Sequence, residues 1–177
     1  MNYRTLLRIV AGGLYMLISG TACSSGNGVE IDVSGTVVAS GCDVSSTSQS
    51  VPVGDFSSAT FKSVNDTSAE KELPITLTNC SSDISGAAVT FSGTADADNA
   101  DLLALSDTSG AGGMASGVGI EILDPNKKPV ALNSLSDEIP LTAGDNALTF
   151  YLRYKATQIP VSPGNASSIM YFDLVYQ

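Results

Sequence analysis

Met170-Tyr171-Phe172-Asp173-Leu174-Val175-Tyr176 closes the chain just before Gln177, with Met170, Phe172, Leu174 and Tyr176 in phase at every second position. Successive side chains of an extended strand point to opposite sides of a sheet, so this period of two identifies a strand with one buried face. The same signature stands near the other end, where Val29, Ile31, Val33, Gly35 and Val37 alternate with Glu30, Asp32, Ser34 and Thr36. Gly35 marks a place in that row where a side chain would be too large. Between the two ends, strands are expected at residues 49–53, 73–78, 87–92, 118–123, 129–132 and 147–155. Asp124-Pro125-Asn126-Lys127-Lys128 supplies turn residues before 129–132. Residues 57–69 and 107–117 are expected as long soft loops, the second, with its clustered glycines, as mobile surface. Seven or eight short strands separated by turn signals predict an all-β sandwich.

Composition agrees. The 177 residues are rich in Ser, Thr, Val, Gly and Ala, contain no Trp and no His, and show no long stretch of helical period. That length holds one domain of ordinary size and leaves no room for a second catalytic or lectin domain. The formal charge is −10, and losing Arg4 and Arg8 with a leader makes the remainder more acidic still. An acidic chain repels nucleic acid, so no nucleic-acid partner is expected.

Residues 1–26 are expected to be a signal peptide, with Arg4 and Arg8 as the basic start, a short apolar run from Ile9 to Ile18, and small residues before the cut. A cut after Ala22 is the alternative; it would make Cys23 the first residue, where a lipoprotein signal attaches lipid, although Gly20 stands where such signals carry Leu. The later cut discards Cys23. Residues 27–40 then form an N-terminal extension leading into the first strand, and 41–177 form the folded domain. Export permits disulfides. Of three cysteines, Cys42 and Cys80 lie in the body of the domain at the edges of expected strands, and we pair them. The bridge closes a loop of about 39 residues, worth roughly 4 kcal/mol in the chain-entropy account.

Without histidine there is no Ser-His-Asp or Cys-His arrangement, and the commonest general base and zinc ligand are both missing. Asp96, Asp98 and Asp101 form the densest acidic cluster, but they do not match a twelve-residue calcium loop, which needs Gly at its sixth place and Glu at its twelfth. No catalytic residue, metal site, cofactor or small-molecule substrate is expected, and the chain reads as no enzyme.

Several segments carry a resemblance. They are Gly35-Thr36-Val37; Cys42; Leu77-Thr78-Asn79-Cys80; Val89 to Asp96; Asn99 to Leu105; Gly117 to Leu123; and Phe150 to Thr157. A glycine fourteen places from the end, Gly164, precedes the alternating last strand and its penultimate aromatic residue, Tyr176. In these features the chain resembles chaperone/usher pilus subunits, and among them the minor tip-adaptor subunits of type 1 fimbriae, over essentially the whole length after the leader.

The resemblance implies an incomplete immunoglobulin-like sandwich, the pilin fold, lacking its seventh strand and completed by a donor strand from a neighbouring subunit. A periplasmic pilus chaperone would first lend a strand. At the outer-membrane usher that strand would be replaced by the extension of the next subunit. The strand given by this chain would be Val29, Ile31, Val33, Gly35 and Val37; the receiving edge would comprise Gly164, Met170, Phe172, Leu174 and Tyr176. Burying the four branched residues of the donor row at roughly 1.5–3 kcal/mol each gives a gross gain on the order of 6–12 kcal/mol before ordering costs. The implied function is a structural subunit of a fimbria, a tip adaptor carried between other subunits and a tip adhesin, exported through the periplasm to the surface of a Gram-negative bacterium. A shaft subunit of the same pilus class and a lipid-anchored surface protein are the alternatives.

Overall fold

A computed structural model describes residues 41–46 and 48–177. The expected leader and the whole expected donor row lie outside the described residues. Among the described residues eight strands follow in chain order: β1 (Asp43–Val44), β2 (Lys71–Cys80), β3 (Gly86–Ser92), β4 (Val118–Leu123), β5 (Pro129–Val130), β6 (Ile139–Pro140), β7 (Gly144–Ala156) and β8 (Tyr171–Tyr176). They form two sheets, one ordered β1-β2-β7-β4-β5 and the other β6-β3-β8. All the strand pairings are antiparallel.

The alternation read from the sequence sets what each strand buries. On β2, Leu73, Ile75 and Leu77 face inward; on β7, Leu148, Phe150, Leu152, Tyr154 and Ala156 do so; on β3, Ala87, Val89 and Phe91. The register then brings these rows together. Leu73 sits opposite Phe150 and Ile75 opposite Leu148 in one sheet, while Phe91 sits opposite Phe172 and Val89 opposite Leu174 in the other. Between the sheets the rings of Phe91 and Phe150 meet edge to face at 4.8 Å, a geometry that aromatic quadrupoles favour.

Strand β4 departs from simple alternation, since all six of its residues are buried. Val118, Ile120 and Ile122 join the core, while Gly119, Glu121 and Leu123 face the other way. Glu121 is 3% exposed and is held by two cations from β7. Arg153 reaches its Oε2 from Nη2 at 2.6 Å and from Nε at 2.7 Å, and Lys155 Nζ reaches its Oε1 at 2.8 Å. A buried carboxylate without such partners would carry a large desolvation cost.

Residues 49–53 do not form the expected strand. The segment runs beside β2, but Gln49 reaches the Pro74 carbonyl through its side-chain Nε2 at 3.1 Å. In an antiparallel strand the nitrogen and carbonyl of one residue face the same edge, so Pro74 presents there a nitrogen with no hydrogen to give. Pro52 has the same defect on the approaching side. Val53 is buried in the core all the same, so the alternation of Val51 and Val53 reports side-chain burial without a ladder. The expected strand at 129–132 ends early, at Val130.

The loops are tied down. Ser57 caps a single turn of 3-10 helix, Ser58–Thr60, and Asp66 Oδ2 accepts hydrogen bonds from the backbone N–H groups of Lys62 (2.7 Å) and Ser63 (2.9 Å). The turn after β4 forms as read, with Asp124 Oδ1 accepting from the N–H groups of Asn126 and Lys128, each at 2.8 Å.

Candidate functional site

The last strand has two unequal edges. Along one, β8 pairs with β3 from Ala87–Tyr176 to Ser92–Tyr171. Along the other, no strand pairs with it among the described residues. Met170, Phe172, Leu174 and Tyr176 share the inward face and pack half-buried against the core, while Tyr171 and Val175 on the outer face are 69% and 44% exposed. The expected receiving edge is thus an edge strand whose inward row is incompletely covered.

One cavity opens onto this strand and another lies beside the segment that leads into it. The narrower, about 100 Å³, opens between Val44, Pro74 and Ile75 on one sheet and Phe172 on the other. The wider, about 260 Å³, lies nearer the start of the last strand. Phe56, Phe61, Val118 and Tyr154 line it on one side, and Val161 and Gly164 on the other. Phe56 meets the Tyr154 ring edge-on at 5.9 Å. The Tyr154 hydroxyl donates to the Ala166 carbonyl at 2.8 Å, tying the first sheet to the segment that leads into β8. Burial pushes the Tyr154 phenol up, and the nearby Asp55 carboxylate adds to the effect, so this donor stays protonated throughout the neutral range.

Gly164 is a glycine for want of space. A Cβ there would collide with the Gly113 carbonyl oxygen, the Met114 carbonyl carbon and the Ala115 nitrogen, all of them backbone atoms. The close approach lets two backbones bond directly, with Asn165 N–H donating to the Gly113 carbonyl at 2.8 Å and Ala115 N–H to the Asn165 carbonyl at 2.9 Å.

At the opposite end, the expected bridge joins Cys42 and Cys80, with an S–S distance of 2.06 Å. The Tyr176 hydroxyl donates to the Cys42 carbonyl at 3.3 Å, and Gly41 lies against the Tyr176 ring. Penultimate tyrosine and first cysteine therefore close one end of the edge, and the wide cavity marks the other. The acidic cluster at 96–101 is a turn. Asp96 Oδ1 accepts from the N–H groups of Asp98 and Asn99 (3.0 and 3.2 Å), and Asn99 Oδ1 from that of Asp101 (3.1 Å).

Sequence reading named the last strand, Gly164 and the cysteines. It missed Phe56, Phe61 and Tyr154, which build the wide cavity, because they look like ordinary core residues of a loop and a strand. It also missed Asp107, whose carboxylate organises the neighbouring loop.

Two antiparallel sheets with the last strand open along one edge define the pilin class of β-sandwich. The chain belongs to the fimbrial protein family, which matches residues 31–177. It is 44% identical over 152 residues to the fimbrial-like protein YcbU of Escherichia coli K12, covering 84% of each chain. It is 36% identical over 166 residues to the probable major fimbrial subunit LpfA of Escherichia coli O157:H7, covering 91% of each. Among solved structures, a chain of a chaperone–usher pilus superposes with a TM-score of 0.63 at 24% identity, covering 86% of this chain and 97% of that one; this likeness shows the fold. The protein is a fimbrial subunit, a component of surface fimbriae, and its relatives are fimbrial proteins, not enzymes.

Proposed function

We propose that this subunit polymerises by donor-strand exchange, receiving a strand along the open edge of β8 and giving its own residues 29–37 to a neighbour. The observation that carries the reading is the unpartnered edge of β8, whose Phe172 borders one cavity and whose lead-in segment borders a second. An added strand would complete a ladder of main-chain bonds there, and its alternate side chains would enter the cavities. Strand addition of this kind between chaperones and pilins is an established mode of peptide recognition. An edge strand left open with a half-covered apolar row is an aggregation hazard, which is the physical reason a periplasmic chaperone would be needed before assembly at the outer-membrane usher.

In the pilus the subunit serves as a minor tip adaptor, joined to neighbouring subunits that include a tip adhesin, and supports adhesion indirectly. The resemblance of the segments quoted above supports that placement. A shaft role is the second reading, favoured by the likeness to a probable major fimbrial subunit.

The test is to fuse a copy of residues 27–40 after Gln177 of the full chain through a flexible linker. The fused chain is expected to run as a monomer in light scattering and to melt at least about 10 °C higher than the unfused chain, since a tethered strand binds only the folded state. An unfused chain that is already monomeric and gains nothing from the fusion would sink the proposal.

A further inference from the structure

The wall of the wide cavity that leads into β8 is made of residues 161–166, and most of the hydrogen bonds that hold it from outside come from the loop at 106–117. Ser106 N–H donates to the Ser167 carbonyl at 2.7 Å and Ser167 Oγ returns a bond to the Ser106 carbonyl at 2.8 Å. Thr108 Oγ1 donates to Ser167 Oγ at 3.0 Å. Asn165 Nδ2 donates to the Gly112 carbonyl at 2.9 Å, beside the two backbone bonds that flank Gly164. Ser116 and Ser162 exchange both of their backbone bonds, at 3.1 and 3.2 Å.

The loop in turn is folded around one carboxylate. Asp107 Oδ2 accepts from Gly112 N–H at 2.7 Å, and Oδ1 accepts from Ala111 N–H at 3.1 Å and from Ser109 Oγ at 3.3 Å. Gly110, Gly112 and Gly113 all adopt left-handed backbone, with φ of 71°, 69° and 66°, and a Cβ on any of them would meet nothing. These glycines are required for conformation alone, and that conformation aims the backbone N–H groups of the loop at the carboxylate. Those same hydrogen bonds, the one from Gly112 foremost, hold the Asp107 carboxyl below the usual carboxylate range. The connection to the cavity is then one residue long: Gly112 gives its N–H to Asp107 and its carbonyl to Asn165, which lines the cavity.

We propose that Asp107 is a positioning residue for strand acceptance: it folds the 107–117 loop into a brace that pre-orders the wall of the wide cavity, so that an incoming strand seats there without having to order the wall itself. The inference rests on the strand-acceptor reading above. Pre-organised sites hold their ligands more tightly because less ordering remains to be done on binding, and the difference falls mostly in the dissociation rate.

The test measures binding of a fluorescent peptide of residues 27–40 to the exported full chain and to its Asp107→Ala and Asp107→Asn variants. Asp107→Ala is expected to raise the peptide's Kd about tenfold, mainly through faster dissociation, and Asp107→Asn, which keeps one acceptor oxygen, by a smaller factor. Two further peptides, each shortened by four residues at one end, supply a readout that a general loss of stability would not move. One of the two no longer fills the wide cavity, and for that peptide wild type and Asp107→Ala should bind within about twofold of each other. The inference is overturned if Asp107→Ala leaves the full-length peptide unaffected, or weakens all three peptides by the same factor. A wild-type chain that takes up none of the peptides overturns the strand-acceptor reading and the brace with it.

Discussion

Replacing Gly164 by alanine adds a single methyl group at the mouth of the wide cavity. Its backbone is not in the left-handed region, so alanine is conformationally acceptable there and any cost comes from space. The methyl would occupy the volume of three backbone atoms of residues 113–115, and no flexible side chain can swing away to make room. The two segments must part, and the bonds at stake are Asn165 N–H to the Gly113 carbonyl, Ala115 N–H to the Asn165 carbonyl, and Asn165 Nδ2 to the Gly112 carbonyl. At a net value of about 1 kcal/mol each, their loss costs about 2–3 kcal/mol. For a domain of this size that lowers the melting temperature by about 4–12 °C. Differential scanning calorimetry of the full chain reads this directly, with Gly110→Asn as control: Gly110 has the same loop setting but open space around it, and asparagine tolerates its left-handed backbone. The control should lose less than about 2 °C. If Gly164→Ala melts within that margin too, the close approach is not rigid and the steric account of this glycine is wrong.

Three further outcomes are expected. Removing the bridge with Cys42→Ala and Cys80→Ala together, which opens a loop spanning 38 positions, should cost roughly 4 kcal/mol in denaturant unfolding; a loss below about 1 kcal/mol would contradict it. Glu121→Ala leaves Arg153 and Lys155 facing each other on β7 with side chains only 27% and 20% exposed, and should lower stability by about 2–3 kcal/mol at unchanged denaturant slope, whereas a neutral result would mean that the cations reach water freely. Asp66 and Asp107 are both held below the usual carboxylate range, Asp66 chiefly by the Ser63 N–H and Asp107 chiefly by that of Gly112. A depressed folded-state value means that the stabilisation is present above the ordinary carboxylate value and is lost as pH falls through the folded one. Melting temperature should therefore fall on acidification below about pH 4. The Asp66→Asn, Asp107→Asn double variant should show a shallower acid limb, and coincident limbs would refute the assignment.

Where a strand buries one face, its identity could be read from the sequence, because a period of two has no other physical source. Leu73, Ile75 and Leu77, or Leu148, Phe150 and Leu152, are in phase because the same core receives them all. The reading failed at 49–53 for a related reason: Val51 and Val53 do alternate, and Val53 is buried, but hydropathy reports burial and says nothing of whether a backbone partner has hydrogens to share. Glu121 was invisible for the opposite reason. It stands in a row of apolar residues as a charge, and only the register that places Arg153 across from it explains why it can be there. At the candidate site, the last strand and Gly164 carried their own local signals. The aromatic lining did not, since Phe56, Phe61 and Tyr154 are gathered from distant positions by the fold. Asp107 looked like part of a loose, glycine-rich surface; the order in that loop comes from backbone groups converging on its carboxylate, which no side-chain pattern records.

The disulfide also has a mechanical consequence. The ladder of β1 with β2 spans only two residue pairs, Asp43 with Thr78 and Val44 with Leu77, and would be a weak handle for any pull on the chain ahead of Gly41. Because Cys42 is covalently joined to Cys80, such a pull bypasses that ladder and arrives at the end of a ten-residue strand clamped along most of its length by β7. Tension entering the subunit ahead of Gly41 is thus handed to the five-stranded sheet through a covalent bond, and β1 can detach without the subunit losing its grip.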